Sequence, residues 1–205
     1  MKILAIIGQK GGSGKTTTAL GLAVEAIRRG KAVAVVDLDP QATAASWSDR
    51  REDKEAPAVI SCQAARLRQV LDAAKAQGVN LAIIDTAGKS NEAAISAAKV
   101  ANWVLMPIQP QIFDIETLQS VKEILTLAGN PTASVVINRA AVQGKRHEET
   151  QEAAEAMGFN VAPVVMFQRT AHGDAGNIGL TAAEYEPKGK AAQEMAALYD
   201  YITTL

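Results

Sequence analysis

The stretch Gly8-Gln9-Lys10-Gly11-Gly12-Ser13-Gly14-Lys15-Thr16-Thr17 stands between a short apolar run and a segment with helical periodicity. Its glycines allow backbone conformations that other residues avoid, so the N–H groups of the loop can point toward one centre. The N-terminus of the following helix adds a partial positive charge at the same place. The stretch therefore predicts a phosphate-binding loop between a strand and a helix.

Two side chains of this loop suit a nucleotide with Mg²⁺. Lys15 can reach the β and γ phosphates and the Thr16 hydroxyl can ligate Mg²⁺, as in the pattern G-x-x-x-x-G-K-[ST]. That pattern requires a glycine where Gln9 stands, whereas K-G-G-x-G-K-[ST] fits without a gap and includes Lys10. Two cations in one small loop are costly without a polyanion, so a glycine-rich turn that binds nothing is the weaker alternative. The expected nucleotide contacts are Lys10, Gly11, Gly12, Ser13, Gly14, Lys15, Thr16 and Thr17.

Apolar, β-branched runs alternate with helix-like stretches along the chain. Such runs are typical of strands buried on both faces, and the alternation predicts a doubly wound α/β fold, with a mostly parallel sheet and helices on both faces. One domain over residues 1–205 is expected. The predicted strands are 2–8, 32–37, 79–85, 103–108, 133–138 and 161–166; the predicted helices are 16–29, 63–77, 115–127, 148–157 and 189–202. The charged run within 50–58 is expected to be a solvated loop.

Composition excludes several classes of protein. Charged residues make up 21% and hydrophobic residues 48%, which is ordinary globular usage and argues against disorder. The single cysteine, Cys62, excludes an internal disulfide and a cysteine-only metal cluster. No apolar run is long enough to cross a bilayer, so a cytoplasmic location is expected. The formal net charge of −1 means that any nucleic-acid surface must be a local patch.

Three further strings follow predicted strands, where ligands bind in an open α/β sheet. They are Val36-Asp37-Leu38-Asp39-Pro40-Gln41, Ile84-Asp85-Thr86-Ala87-Gly88 and Pro107-Ile108-Gln109-Pro110. With the two-lysine loop, they make the chain resemble the ParA/MinD family of deviant Walker A ATPases, nearest to the small ParA-type plasmid and chromosome partition proteins. This resemblance implies the P-loop NTPase fold, ATP and Mg²⁺ as cofactors, and hydrolysis of ATP to ADP and phosphate.

The resemblance also implies roles for individual residues. Lys10, Lys15 and Asp39 are the expected catalytic residues, with Asp39 orienting the attacking water. The alternative role for Asp39 is to cap a helix that begins beyond Pro40. Asp85 would hold Mg²⁺ through a water beside Thr16, and Asp37 would be structural or lie in the outer shell of the metal.

Other implied roles concern a dimer and the base. Lys10 would reach across a nucleotide sandwich to the phosphates bound by a second copy. Pro107 and Pro110 would help to form that interface, the alternative being ordinary prolines that end a strand. Asn138 would contact the base, and adenine is expected because the guanine-reading string N-K-x-D is absent. A role for Asn138 as a turn residue stays open.

Function is expected to follow the small partition proteins. The resemblance implies an ATP-dependent homodimer, with higher polymers open, that binds DNA without sequence preference and a ParB-like centromere-binding protein at the nucleoid. Arg139, Arg169 and Lys190 are the candidate DNA contacts, although solvated surface cations are the alternative. Membrane anchoring is not expected, because residues 196–205 contain no Lys or Arg. The alternative function is a nucleotide-switched positioning protein for a protein cargo, or a regulator of an envelope enzyme complex.

Overall fold

A computed structural model describes residues 1–51, 56–88 and 90–204. The strands of these residues form one sheet in the order β3-β2-β4-β1-β5-β6-β7, and every neighbouring pair is parallel. The strands are β1 (Lys2–Ile6), β2 (Val33–Asp37), β3 (Ala58–Ser61), β4 (Leu81–Asp85), β5 (Trp103–Ile108), β6 (Thr132–Ala140) and β7 (Asn160–Phe167). The predicted doubly wound α/β fold is confirmed.

Helices cover both faces of the sheet, because alternate residues of a strand point to opposite sides. In and after β1, Leu4 and Ile6 join one buried apolar cluster with residues of α1 and α9, and Ala5 and Ile7 join a second cluster with residues of α3, α4 and α5. The helices are α1 (Lys15–Arg28), α2 (Thr43–Asp49), α3 (Leu67–Ala76), α4 (Asn91–Val100), α5 (Ile112–Leu127), α6 (Arg146–Ala156), α7 (Thr170–Asn177), α8 (Ala182–Tyr185) and α9 (Lys190–Thr204), with a 3₁₀ turn at Ala64–Arg66. In the described part of the chain, no helix is long and apolar enough to span a membrane.

The structure differs in two respects from the solvated loop that was predicted over residues 50–58. Ala58–Ser61 forms the edge strand β3, whose four residues are partly exposed and pair only with β2, so the sequence signal was weak. Arg51 is buried, and its guanidinium forms an ion pair with Glu184. Residues 52–55, the remainder of the charged run, lie outside the described residues. Helices α4, α7 and α8 were also not predicted, and α2 was mentioned only as a helix beyond Pro40.

The order of the strands places the expected site residues together. β1 lies between β4 and β5, and β4 in turn lies between β1 and β2. Because all these strands are parallel, the loops that follow them leave the same edge of the sheet. The phosphate-binding loop therefore lies beside the loops that follow Asp37, Asp85 and Ile108.

Candidate functional site

The loop between β1 and α1 has the conformation that its glycines predict. Gly12 and Gly14 have positive φ angles of 80° and 91°, and α1 begins directly after Gly14 at Lys15. A side chain at Gly14 is also excluded by space, because a Cβ there would lie 2.2 Å from Asn138 Nδ2. Gly88 approaches from the other side, where a Cβ would lie 2.9 Å from the backbone nitrogen of Gly11. Close packing thus shapes the loop from two directions.

Lys15 is the buried cation of this loop. It is 7% exposed, and its ammonium donates a hydrogen bond to the carbonyl oxygen of Lys10 at 2.9 Å. Burial lowers its pKa, while the carboxylates of Asp85, Asp39 and Asp114 act in the opposite direction. Within the described part of the chain no carboxylate forms an ion pair with Lys15, so its ammonium can donate to phosphate oxygens as charge partners.

Asp85 is the residue whose surroundings fit a divalent cation. It ends β4, is 1% exposed, and neither of its carboxylate oxygens has a hydrogen-bond partner among the described residues. Burial raises the pKa of Asp85 to about 7, and the Thr16 hydroxyl and the Lys15 ammonium oppose that shift. Such an orphaned buried carboxylate is costly. A Mg²⁺ ion between Asp85 and Thr16 would satisfy it, so the residues present fit the expected metal.

Asp37 and Asp39 have different surroundings. Asp37 is 1% exposed, and its two oxygens accept the backbone N–H groups of Asp39 at 2.9 Å and Ala44 at 3.0 Å. Burial raises its pKa and these donors lower it. Asp39 is half-buried and accepts only a local bond, from the backbone of Gln41 at 3.0 Å. The anchoring of α2, considered above as the alternative role for Asp39, therefore belongs to Asp37.

Lys10 faces its own chain. Its ammonium forms an ion pair with Asp114 and donates to Gln111 Oε1 at 3.3 Å. Asp114 is 1% exposed, and its second oxygen accepts the backbone N–H of Gln109 at 3.1 Å. The side chain of Gln109 in turn donates to the carbonyl of Gly12 at 2.9 Å. The sequence analysis included Gln109 in the string Pro107–Pro110 without a role of its own, and it missed Asp114, whose signal was its place shortly after β5.

Asn138 and Arg139 brace the phosphate-binding loop. Asn138 is 8% exposed; its Nδ2 donates to the carbonyl of Ser13 at 2.7 Å, and its Oδ1 accepts the backbone N–H of Arg139 at 2.9 Å. Arg139 has a positive φ of 53° and donates from Nη1 to the carbonyl of Gly12 at 2.9 Å. Asn138 thus has a structural contact where a base contact was expected, and it adjoins the cavity described next.

A cavity of about 370 Å³ lies at the N-terminus of α1. Its walls include Gly14, Thr17, Asn138 and Arg139, together with residues 166–170, from the end of β7 to the start of α7. Because it begins at the phosphate-binding loop, the base and sugar of a bound nucleotide could extend into it. Among the described residues, no group of three or more His, Cys, Asp or Glu is arranged to hold a metal.

The three candidate DNA contacts differ in their surroundings. Arg139 lies on the phosphate-binding loop, and Arg169 forms an ion pair with Glu194, with Nη2 to Oε1 at 2.6 Å. The charge of Arg169 is therefore balanced within the chain. Lys190, at the start of α9, is exposed.

The two prolines of the expected interface also differ. Pro107 is buried within β5, opposite Val136, so its side chain offers no surface to a second copy. Pro110 is half-buried in the loop before α5. Beyond Gln111, at the start of α5, Ile112 and Phe113 are 62% and 66% exposed. Sequence analysis missed this exposed pair, although two large apolar residues beside a polar loop were a usable signal.

Comparison with known proteins identifies the family of the chain. The family described as the CobQ/CobB/MinD/ParA nucleotide binding domain matches residues 4–181. The chain is 28% identical to Protein IncC of Escherichia coli, covering 100% of this chain and 70% of that protein. It is 27% identical to maintenance of carboxysome distribution protein A of Gloeobacter kilaueensis, covering 97% and 90% of the two chains.

Among solved structures, the septum site-determining protein MinD of Pyrococcus horikoshii, complexed with Mg-ADP, superposes with a TM-score of 0.77. It is 20% identical to this chain, and the match covers 98% of this chain and 95% of that one. This is a likeness of fold. The family match, by contrast, spans the phosphate-binding loop and the residues Asp39, Asp85 and Asn138. The chain therefore belongs to the CobQ/CobB/MinD/ParA family of nucleotide-binding domains.

Proposed function

We propose that this chain is an ATPase that forms a dimer around ATP and, in that state, binds DNA without sequence preference to partition a plasmid or chromosome. The observation that carries the proposal is that two lysines of one loop accompany the buried carboxylate of Asp85, which accepts no hydrogen bond from the described residues. A nucleoside triphosphate with Mg²⁺ would supply negative charge to the two lysines and positive charge to the Asp85 carboxylate. The MinD structure with Mg-ADP supports the same assignment of ligands.

Each residue has one task in the proposed hydrolysis. The backbone of residues 11–14 and the ammonium of Lys15 bind the β and γ phosphates. Asp85 and the Thr16 hydroxyl would hold Mg²⁺, whose chemistry is to neutralise charge on the phosphates. Asp39, fixed at its backbone by Asp37, orients the attacking water. Asp37 would not bind Mg²⁺ directly, because its two oxygens accept the backbone N–H groups of Asp39 and Ala44.

The proposed dimer is formed at the face that carries Lys10. In a nucleotide sandwich, the triphosphates repel one another until cations lie between them. Lys10 would leave Asp114 and contact the phosphates bound by the second copy, as an arginine finger does in other nucleotide hydrolases. Pro110 and the exposed pair Ile112 and Phe113 lie beside Lys10 and would be covered by the second copy. The dimers can add further copies only if another face is also complementary.

The cargo has two candidates. A paired cationic surface on the dimer would bind DNA at the nucleoid, and a ParB-like partner would stimulate release through hydrolysis. The second candidate, a protein cargo, is favoured by the similarity to a carboxysome distribution protein over nearly the whole chain. In both cases the ATP state switches the binding.

The test is DNA binding and ATP hydrolysis measured together. Binding of a fluorescent duplex by the chain at several salt concentrations should require ATP with Mg²⁺, be equal for unrelated sequences, and weaken steeply as salt rises. Equal binding with ADP, or no binding under any nucleotide, would contradict the DNA role. If no nucleotide allows DNA binding but ATP still causes dimerisation, the protein cargo is favoured.

A further inference from the structure

The loop that carries Asp39 is held at both ends of the short helix α2. At the N-terminal end, one carboxylate, that of Asp37, accepts the backbone N–H groups of both Asp39 and Ala44. Asp39 and the first turn of α2 are therefore parts of one hydrogen-bonded unit. α2 has only seven residues, and a helix of this length has little stability of its own. Its position, and with it that of Asp39, depends on what holds the other end.

The C-terminal end of α2 is held by Arg51. The side chain of Arg51 is 2% exposed and forms a two-pronged ion pair with Glu184, at 2.8 and 3.1 Å. The same guanidinium donates to the carbonyls of Gly179 at 2.7 Å and Ala56 at 2.9 Å. It also lies 4.3 Å from the centre of the Trp47 ring. Because the guanidinium is planar and contacts several groups, it fixes both the orientation and the distance of the C-terminal end of α2 relative to these partners.

Two partners of Arg51 lie beyond α7, Gly179 in the turn between α7 and α8 and Glu184 in α8 itself. Glu184 is itself fixed there, because it forms a capping box with Thr181 at the start of α8. Trp47 adds a second tie to this turn, since its indole N–H donates to the carbonyl of Leu180 at 3.0 Å. We call this set of contacts, made by Trp47 and Arg51 with residues 179–184, the α2 clasp.

Gly179 brings the two backbones of the clasp into direct contact. A Cβ at Gly179 would lie 2.7 Å from the carbonyl carbon and oxygen of Arg50 and 2.9 Å from the backbone nitrogen of Arg51. Its φ of 68° also lies in the left-handed region. The α7–α8 turn thus packs against the peptide between Arg50 and Arg51, directly after α2, with no space for a side chain at Gly179.

We infer that Arg51, Glu184 and Gly179 are positioning residues for ATP hydrolysis, which hold the Asp39 loop in place through α2. The inference rests on the proposed function in that it takes Asp39 as the water-orienting group. α1, α2 and the α7–α8 turn also enclose a cavity of about 210 Å³, whose walls include Thr16, Thr43 and Thr181. A shift of the α7–α8 turn would therefore move the Asp39 loop relative to the residues that bind the phosphates.

The test compares two glycine variants that carry similar backbone strain. Gly179→Ala adds a methyl group that must push α2 away from the α7–α8 turn. Gly129→Ala is the matched control, because Gly129 has a φ of 91° and an added Cβ would contact nothing within 4 Å. Arg51→Lys is a milder second variant, which keeps the charge but loses the fork, in case Gly179→Ala does not fold.

Two measurements are made on each variant. Hydrogen–deuterium exchange of the backbone amides in residues 38–44 should be faster in Gly179→Ala and Arg51→Lys than in the wild type, and unchanged in Gly129→Ala. The kcat for ATP should fall about tenfold or more in the first two variants, with KM for ATP within about twofold of the wild type, because displacement of a catalytic group acts on the chemical step.

Either measurement can overturn the inference. Unchanged exchange in residues 38–44, or equal acceleration in Gly129→Ala, would show that the clasp does not hold the Asp39 loop. Wild-type kcat in variants whose exchange has increased would show that the loop moves without effect on hydrolysis. If the wild type hydrolyses no ATP, the proposed function fails, and the exchange measurement alone decides whether the clasp positions the loop.

Discussion

The ammonium of Lys10 forms an ion pair with the buried carboxylate of Asp114, in the first turn of α5 of the same chain. Lys10 is the residue proposed to act on a second copy, so the contact that it makes within its own chain competes with that role. The Asp114 carboxylate neutralises the charge that the ammonium would otherwise offer to the phosphates of a second copy. Release of Lys10 from Asp114 is therefore expected to be part of dimer formation.

The first prediction concerns this competition. Asp114→Asn removes the charge that holds Lys10, while the remaining amide oxygen can still accept the Gln109 N–H. Dimerisation with ATP should then strengthen by about two- to fivefold, the effect expected for a partly exposed ion pair. Analytical ultracentrifugation across a range of protein concentrations measures the change. A weaker dimer would mean that Asp114 supports the assembled state rather than the separate chains.

The second prediction concerns the phosphate lysine. Lys15→Ala should weaken ATP binding by about 10- to 100-fold or more, because the triphosphate loses a buried charged donor. Isothermal titration calorimetry with Mg-ATP measures the affinity. Lys31→Ala is the control, since Lys31 is exposed and lies away from the loop. Equal affinity for the Lys15→Ala and Lys31→Ala proteins would remove the basis for the phosphate site.

The third prediction separates binding from hydrolysis. Asp39→Asn should bind Mg-ATP with wild-type affinity and lose about 100-fold or more in kcat, because only the group that orients the water has changed. The ATP dimer should persist for longer as a result. Phosphate release and dimer lifetime are the measurements, and Asp49→Asn, an exposed carboxylate at the end of α2, is the control. Hydrolysis by Asp39→Asn at the wild-type rate would make Asp39 a structural residue.

The fourth prediction uses two exposed apolar residues of one helix. Phe113 is 66% exposed at the start of α5, and Leu127 is 65% exposed at its end. Phe113→Ser should weaken the ATP dimer by about tenfold or more, as expected when an apolar anchor of an interface is truncated, and Leu127→Ser should not. Neither variant should lower thermal stability much, because neither side chain is buried. Equal dimerisation of the two variants would place the interface elsewhere.

Much of the fold and of the nucleotide site could be predicted from the sequence, because both depend on local patterns. Strands such as β5 are continuous apolar runs, and the phosphate-binding loop is a string of ten residues. Asp39 and Asp85 were placed at the site because they end or follow buried strands. The apolar runs of the central strands therefore predicted both the α/β architecture and the position of the two carboxylates.

The remaining features depend on contacts between distant parts of the chain. Lys10 and Asp114 are 104 positions apart, and Arg51 is 133 positions from Glu184. No local pattern links the members of such pairs, so Arg51 resembled one more residue of a solvated charged run. Edge strand β3 was missed for another reason: four half-exposed residues with one neighbour give no clear alternation.

The central claim, that Lys10 acts across a dimer, is tested most directly by sedimentation of Lys10→Ala with and without Mg-ATP. The variant keeps Lys15, Thr16 and the loop backbone, so the single chain should bind ATP with little loss. By symmetry it removes two cations from one interface. We predict that Lys10→Ala remains a monomer at ATP concentrations that convert the wild type and the control Lys145→Ala to dimers. A Lys10→Ala protein that forms the ATP dimer as readily as the wild type would contradict the account.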